Sequence, residues 1–135
     1  MRRLAALARL VVVISVVGAC QSLGVLSPDA DPYDVLDAYL RAFQAGNCQA
    51  ARVMTTETFR PGNGELCGAT RLLGYEIDPR TAGDPTTDSA VGLSATLTTT
   101  GTADGSVEDG ETLWFYGLAR QPGGPWRIVG GGSGP

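Results

Sequence analysis

Histidine and lysine are both missing from this 135-residue chain, and cysteine occurs only three times. Without histidine, Ser-His-Asp and Cys-His nucleophile systems lack their general base, and histidine-bearing zinc sites lack their ligands. Without lysine every cation is an arginine, and ten of them face fourteen acids for a net charge of −4. An acidic chain with no basic stripe has nothing to lay along phosphates, which excludes nucleic acid as a partner. Long hydrophobic runs are missing too. The longest, Leu10 to Ala19, covers ten residues, about half of the roughly 20 that a membrane-spanning helix needs. The glycine run from Gly130 to Gly134 has neither a lysine nor a following helix, so it is no phosphate loop; it reads as a frayed tail.

What is present begins with an address. Arg2, Arg3 and Arg9 make a positive n-region ahead of the Leu10–Ala19 apolar segment, the pattern of an export signal and not of a permanent span. The general secretion route fits better than the twin-arginine route, because the residues around Arg2-Arg3 do not complete that motif. The sequence Val17-Gly18-Ala19-Cys20 resembles the lipobox of bacterial lipoproteins: an aliphatic residue, two small ones, then cysteine. The resemblance implies that the Cys20 thiol receives a diacylglyceryl group and becomes the new N-terminus, leaving the protein lipid-anchored on the extracytoplasmic face of the cell membrane. Two acyl chains suffice for stable anchoring, at about 0.8 kcal/mol per buried methylene. Residues 1–19 are then the signal peptide and residues 20–30 the lipidated cysteine and its tether. Removing the signal leaves seven arginines against the fourteen acids, a net charge of −7.

With Cys20 lipidated, Cys48 and Cys67 remain. Exported proteins fold where disulfides persist, and two thiols allow one intramolecular pairing. A redox role has no support, since there is no Cys-x-x-C and no basic neighbour to lower a thiol pKa.

The expected elements divide into helices first and strands after. Asp31 as N-cap, Pro32 at the first helical position and Gly46 just past the end bracket a helix. Inside it Val35, Leu36, Tyr39, Leu40 and Phe43 form one apolar stripe. A second helix is expected from the Asn47 cap through Ala50, Ala51, Val53 and Met54, and then a loop through Pro61-Gly62-Asn63-Gly64 to Cys67. Beyond residue 70 the period becomes two. Leu73, Tyr75 and Ile77 alternate with polar residues or glycine, as do Val91, Leu93, Ala95 and Leu97. Thr112–Arg120 is apolar on both faces and is expected to be central, and Trp126–Val129 forms a last short strand. The connections Asp84–Asp88, Thr102–Glu111 and Gln121–Pro125 are rich in Gly, Pro and Asp. The fold class is α+β, with N-terminal helices packed on a curved antiparallel sheet of about four strands.

Three stretches carry a further resemblance: Asp31-Pro-Tyr-Asp-Val-Leu-Asp-Ala-Tyr-Leu-Arg-Ala-Phe-Gln-Ala-Gly-Asn-Cys48, Leu73-Gly-Tyr-Glu-Ile-Asp-Pro79, and Leu113–Val129 with its Gly-Gly-Pro-Trp-Arg-Ile-Val ending. Together they resemble the nuclear transport factor 2-like (cystatin-like cone) superfamily, and within it the small exported members from actinobacteria. The resemblance covers most of residues 31–130, with residues 131–135 left as a flexible tail. It implies a cone-shaped sheet around a cavity, in a superfamily that holds isomerases, cyclases, dehydratases and non-catalytic binding modules.

No catalytic, cofactor-binding or metal-binding constellation is visible in the sequence. Asp37, Tyr39, Tyr75, Glu76 and Tyr116 could supply an acid and a phenol to a cavity, yet no spacing pairs them. Asp104-Gly-Ser-Val-Glu-Asp-Gly-Glu111 has a calcium-loop stagger with its glycine and distal acid misplaced, and reads as an acidic hairpin turn. The aromatics are either core or, for Tyr39, Phe43, Tyr75, Trp114 and Tyr116, the lining of an open cavity; Phe115 and Trp126 are counted with the core. The resulting expectation is a non-enzymatic binding or accessory module of the cell envelope, meeting an envelope protein or a small apolar ligand. The alternatives are a cyclase- or isomerase-like enzyme with a cavity carboxylate, and a protein–protein interaction module. Changing Cys20 to Ser is expected to move the protein out of the membrane fraction; unchanged retention on fractionation would overturn the lipid anchor.

Overall fold

The computed structural model describes residues 24–79 and 87–134; the expected signal peptide and Cys20 lie outside the described residues. Helix α1 spans Pro32–Gln44. The Asp31 carboxylate accepts the Tyr33 amide at 2.8 Å, which satisfies one of the amides a helix start leaves open. The helix stops in a Schellman arrangement: the Gly46 amide donates to the Phe43 carbonyl and the Asn47 amide to that of Ala42. That closure needs a left-handed residue, and Gly46 supplies φ 72°. The stripe of Val35, Leu36, Tyr39, Leu40 and Phe43 is buried along the whole helix, each large side chain contributing roughly 1.5–3 kcal/mol.

Helix α2 spans Cys48–Arg52 and is capped by the Asn47 side chain. It is shorter than the sequence pattern suggests, and the reason lies in the sheet. The Ile128 amide donates to the Met54 carbonyl and the Thr56 amide to that of Ile128. The backbone after Val53 is thus drawn into pairing with a strand and leaves the helix. Cys48 and Cys67 are disulfide-bonded across 19 residues, closing a loop whose restraint contributes roughly 3 kcal/mol in the chain-entropy description.

Four strands, β1 (Leu72–Ile77), β2 (Ala90–Thr100), β3 (Asp109–Ala119) and β4 (Arg127–Gly132), form one antiparallel sheet in the order β1-β2-β3-β4. Val91, Leu93, Ala95 and Leu97 of β2, Trp114, Tyr116 and Leu118 of β3, and Ile128 of β4 are buried on the face that meets α1. The architecture is α+β, as the chain order implies. Several details differ from the sequence pattern. A bulge between Leu72 and Gly74 shifts the register of β1, so Leu72 is buried and Leu73 faces solvent; a one-residue slip exchanges the faces. β3 is central by its pairing, but its outer face is open, and Leu113 and Phe115 are 44% and 39% exposed. Phe115 is therefore not a core residue. β4 runs through Gly131 and Gly132, which pair with Tyr116 and Phe115, so the expected tail begins later than residue 131. Part of the expected tether is docked as well. Val25 and Ala30 pack on the core, and the Pro28 carbonyl accepts from Arg120 at 3.4 Å.

The free edge of β4 is covered by the segment from Met54 to Gly64. Thr58 and Asn63 donate to the Val129 carbonyl, and the Gly131 amide donates to the Asn63 carbonyl. Gly64 approaches so closely that an added Cβ would stand 2.5 Å from the Gly131 backbone. Gly64→Ala is therefore expected to lose clearly more stability than Gly46→Ala. The latter carries only the left-handed penalty of about 1–2 kcal/mol, since Gly46 has open space around it. Equal shifts in urea unfolding midpoint would show that the Gly64–Gly131 contact is not made.

Candidate functional site

The space between α1 and the sheet is occupied by rings. Tyr39 lies 5.6 Å from Phe59 and 6.0 Å from Tyr116, ring centre to ring centre, with edge-on geometry in both pairs. Phe43 and the Phe59–Tyr116 pair extend the cluster at 6.3 Å. Such contacts add about 0.5–1.5 kcal/mol each beyond burial. Of the five residues expected to line a cavity, Tyr39, Phe43, Trp114 and Tyr116 are buried core residues. Phe43 also reaches the base of a surface groove. Tyr75 stands on an edge strand, partly buried.

Two acid–tyrosine neighbourhoods emerge that no spacing in the sequence paired. In the first, the Tyr75 hydroxyl donates to the Asp37 carboxylate at 2.7 Å, while Arg41 pairs with the same carboxylate at 2.7 Å. Burial first, and then this hydrogen bond to Asp37, raises the Tyr75 phenol to about 12. The group is a surface clamp between α1 and β1. Glu76, the remaining acid considered, is exposed.

In the second, Glu65 is 5% exposed and pairs with Arg52 Nε at 3.2 Å. The Tyr39 hydroxyl is buried without a hydrogen-bond partner among the described residues, as is Trp114 Nε1. Burial, and secondarily the Glu65 charge, push the Tyr39 phenol far above the ordinary tyrosine range. Tyr116 is raised for the same first reason, with Tyr39 as the second cause. Sequence reading passed over Glu65 and Phe59 because residues 55–68 look like a polar loop, and over Arg52 because it stands among the polar residues of a short helix. The signal that could have found Glu65 is its place two residues before Cys67, where the disulfide draws the chain inward.

Among the described residues, several surface concavities lie around this core. A groove of about 450 Å3 lies over Arg52, Glu57, Phe59, Arg60 and Glu65. A shallower one of about 170 Å3 lies by Arg120 and Arg127. There Arg120 stacks on Trp126 at 4.6 Å and donates to the Asp88 and Pro28 carbonyls, while Arg127 donates to the carbonyl of Val53. Another, of about 400 Å3, lies at the C-terminal end of α1, over Phe43, Leu72, Arg71 and both sulfur-bonded cysteines.

The acidic turn between β2 and β3 is closed on itself. The Asp104 carboxylate accepts from the Ser106 amide at 3.0 Å and its hydroxyl at 2.7 Å. Hydrogen bonds from Thr102 and Ser106 hold Asp104 down to about 2. Among the described residues, no three acidic or cysteine side chains gather around a point that could hold a metal ion. Comparison with protein-family models, with curated proteins and with solved structures finds no match to this chain.

The raised phenols carry a pH signature. Tyr39, Tyr75 and Tyr116 hold their protons to higher pH in the folded chain than the ordinary value of 10.0. Above that value the unfolded chain releases protons that the folded one keeps, so stability present below about pH 10 falls as pH rises toward 12. Tyr39→Phe is expected to keep or gain stability at pH 7, because it removes a buried hydroxyl without a partner, a group that costs about 1–3 kcal/mol. It should also flatten the alkaline fall. A loss at pH 7 in urea unfolding would show that the hydroxyl is partnered.

Proposed function

We propose that the chain is an exported, lipid-anchored protein with a nuclear transport factor 2-like domain, serving as a non-enzymatic binding or accessory module of the cell envelope. A small ligand with an apolar part is its first candidate occupant. The lipobox-like Val17-Gly18-Ala19-Cys20 supports the anchor, and the four-stranded antiparallel sheet with helices on one face supports the fold assignment. The observation that carries the functional reading is the packing of Tyr39, Phe59 and Tyr116 beneath α1. These rings take the place that a catalytic chamber would occupy, and recognition falls to the surface. Thirteen residues of helix, about 20 Å, separate the docked tether at Pro28 and Asp31 from the groove at Ala45 and Gly46. That groove accordingly points away from the anchored end.

A second reading, a cyclase- or isomerase-like enzyme, is favoured by one observation: the Glu65 carboxylate is buried within electrostatic reach of the Tyr39 phenol. Native mass spectrometry of the protein taken from its own host's envelope tests the first reading. A co-purifying small molecule is the expected result. A clean apo mass, monomeric or dimeric, would move recognition to protein partners. Turnover of a cyclic apolar substrate that disappears in Glu65→Gln would establish the enzyme instead.

A further inference from the structure

Arginines are the only cations in this chain, and most of those among the described residues are engaged. Arg41 pairs with Asp37, and Arg52 with Glu65. Arg120 and Arg127 are held by backbone carbonyls, Arg120 also by Trp126. The side chains of Arg60 and Arg71 have no hydrogen-bond or ion-pair partner among the described residues. Their settings differ. Arg60 shares its groove with Glu57 and Glu65, so its charge is met by acids. Arg71 is the sole ionisable residue lining the groove of about 400 Å3, in a protein with an excess of acids.

That groove has a built floor and a staple. Phe43 and Leu72, both nearly buried, form its base. The Cys48–Cys67 bond fixes the start of α2 against the turn that leads to β1. Thr70 and Thr100, hydrogen-bonded to each other at 3.2 Å, form part of the rim, with the Arg71 amide donating to the Thr100 hydroxyl at 3.3 Å. Gln44 completes it and is held by the Leu73 carbonyl. The volume lies in the range of small-molecule sites, which are apolar with a few fixed polar groups.

We infer that this groove takes a small molecule with an apolar body and a single carboxylate, seated with its carboxylate on the Arg71 guanidinium. Charge complementarity carries the choice. A guanidinium matches a carboxylate with two parallel hydrogen bonds. The carbonyl end of α1 lies on the same groove, at Ala45 and Gly46, and this end of a helix repels negative charge. One cation beside that end balances a monoanion and leaves a dianion such as a phosphate monoester half unmatched. A cationic ligand would meet Arg71 directly.

This assignment rests on the binding-module reading. Its test uses the intact protein in lipid nanodiscs, titrated calorimetrically with octanoate, octan-1-ol and octylammonium against empty nanodiscs. Octanoate is expected to bind, and Arg71→Gln to weaken it about tenfold or more, the loss of one charge-assisted contact. Arg60→Gln should leave octanoate binding unchanged, and the two analogues should bind at least about tenfold more weakly. Arg71 is exposed, so Arg71→Gln should keep the wild-type circular dichroism and melting profile. Octanoate binding equal in Arg71→Gln and wild type, or octan-1-ol binding as tightly as octanoate, overturns the assignment. A neutral or cationic molecule on the protein from its host envelope overturns the carboxylate class and leaves the binding reading standing. No molecule on that protein, together with no octanoate binding, removes both.

Discussion

The contact on which the rest of the molecule depends is the meeting of Tyr39 with Phe59 and Tyr116. Each ring comes from a different piece of chain: α1, the segment after α2, and the central strand β3. A domain of this size has a modest core, and these buried rings lock three elements to one another. The cost shows in the same place. Bringing Tyr39 to the centre buries a hydroxyl that finds no partner among the described residues, within electrostatic reach of the buried Glu65 that Arg52 pairs with.

Filling the interior moves the chemistry outward and sorts the arginines by what surrounds them. Where a guanidinium lies at a seam between elements it is spent on structure, as Arg120 is on Trp126 and two carbonyls. Those contacts hold the segment before α1 against the β3–β4 turn. At the far end of α1, Arg71 meets an indentation lined by no acid and, unlike Arg120 and Arg127, has no side-chain hydrogen-bond or ion-pair partner among the described residues. The disulfide sits in that same indentation, so the loop closure that stabilises the fold also sets the spacing of the groove walls.

Much of this was legible in the residues. Asp31, Pro32 and Gly46 mark the ends of α1 because capping is local chemistry, and the buried stripe follows from helical period. The alternation of Val91 to Leu97 likewise gives the inner face of β2. What could not be read depends on distant partners. Met54 leaves the helix because Ile128 claims its carbonyl. Leu73 turns outward because of a bulge that no pattern announces. Gly131 and Gly132 look like a frayed tail until they are seen paired with Tyr116 and Phe115, with Gly131 so close that an added Cβ would stand 2.9 Å from the Phe115 carbonyl oxygen. Glu65 falls in a stretch whose composition says only loop and Arg71 at the start of a strand pattern that gives it no role, and their settings are made by the disulfide and the helix end.

The glycine strand has a consequence for the order of events as the chain emerges and folds. Hydrogen bonds from Thr58 and Asn63 to Val129, and from Arg127 to Val53, join residues 66 to 74 positions apart. For a chain that emerges N-terminus first, the Met54–Gly64 segment appears long before the strand that it covers. Until residues 126–132 follow, Phe59 lacks its neighbour Gly131 and the edge of β3 is open. The domain therefore closes at a strand that emerges after the segment it must meet, and the interval before closure is when a chaperone has something to hold.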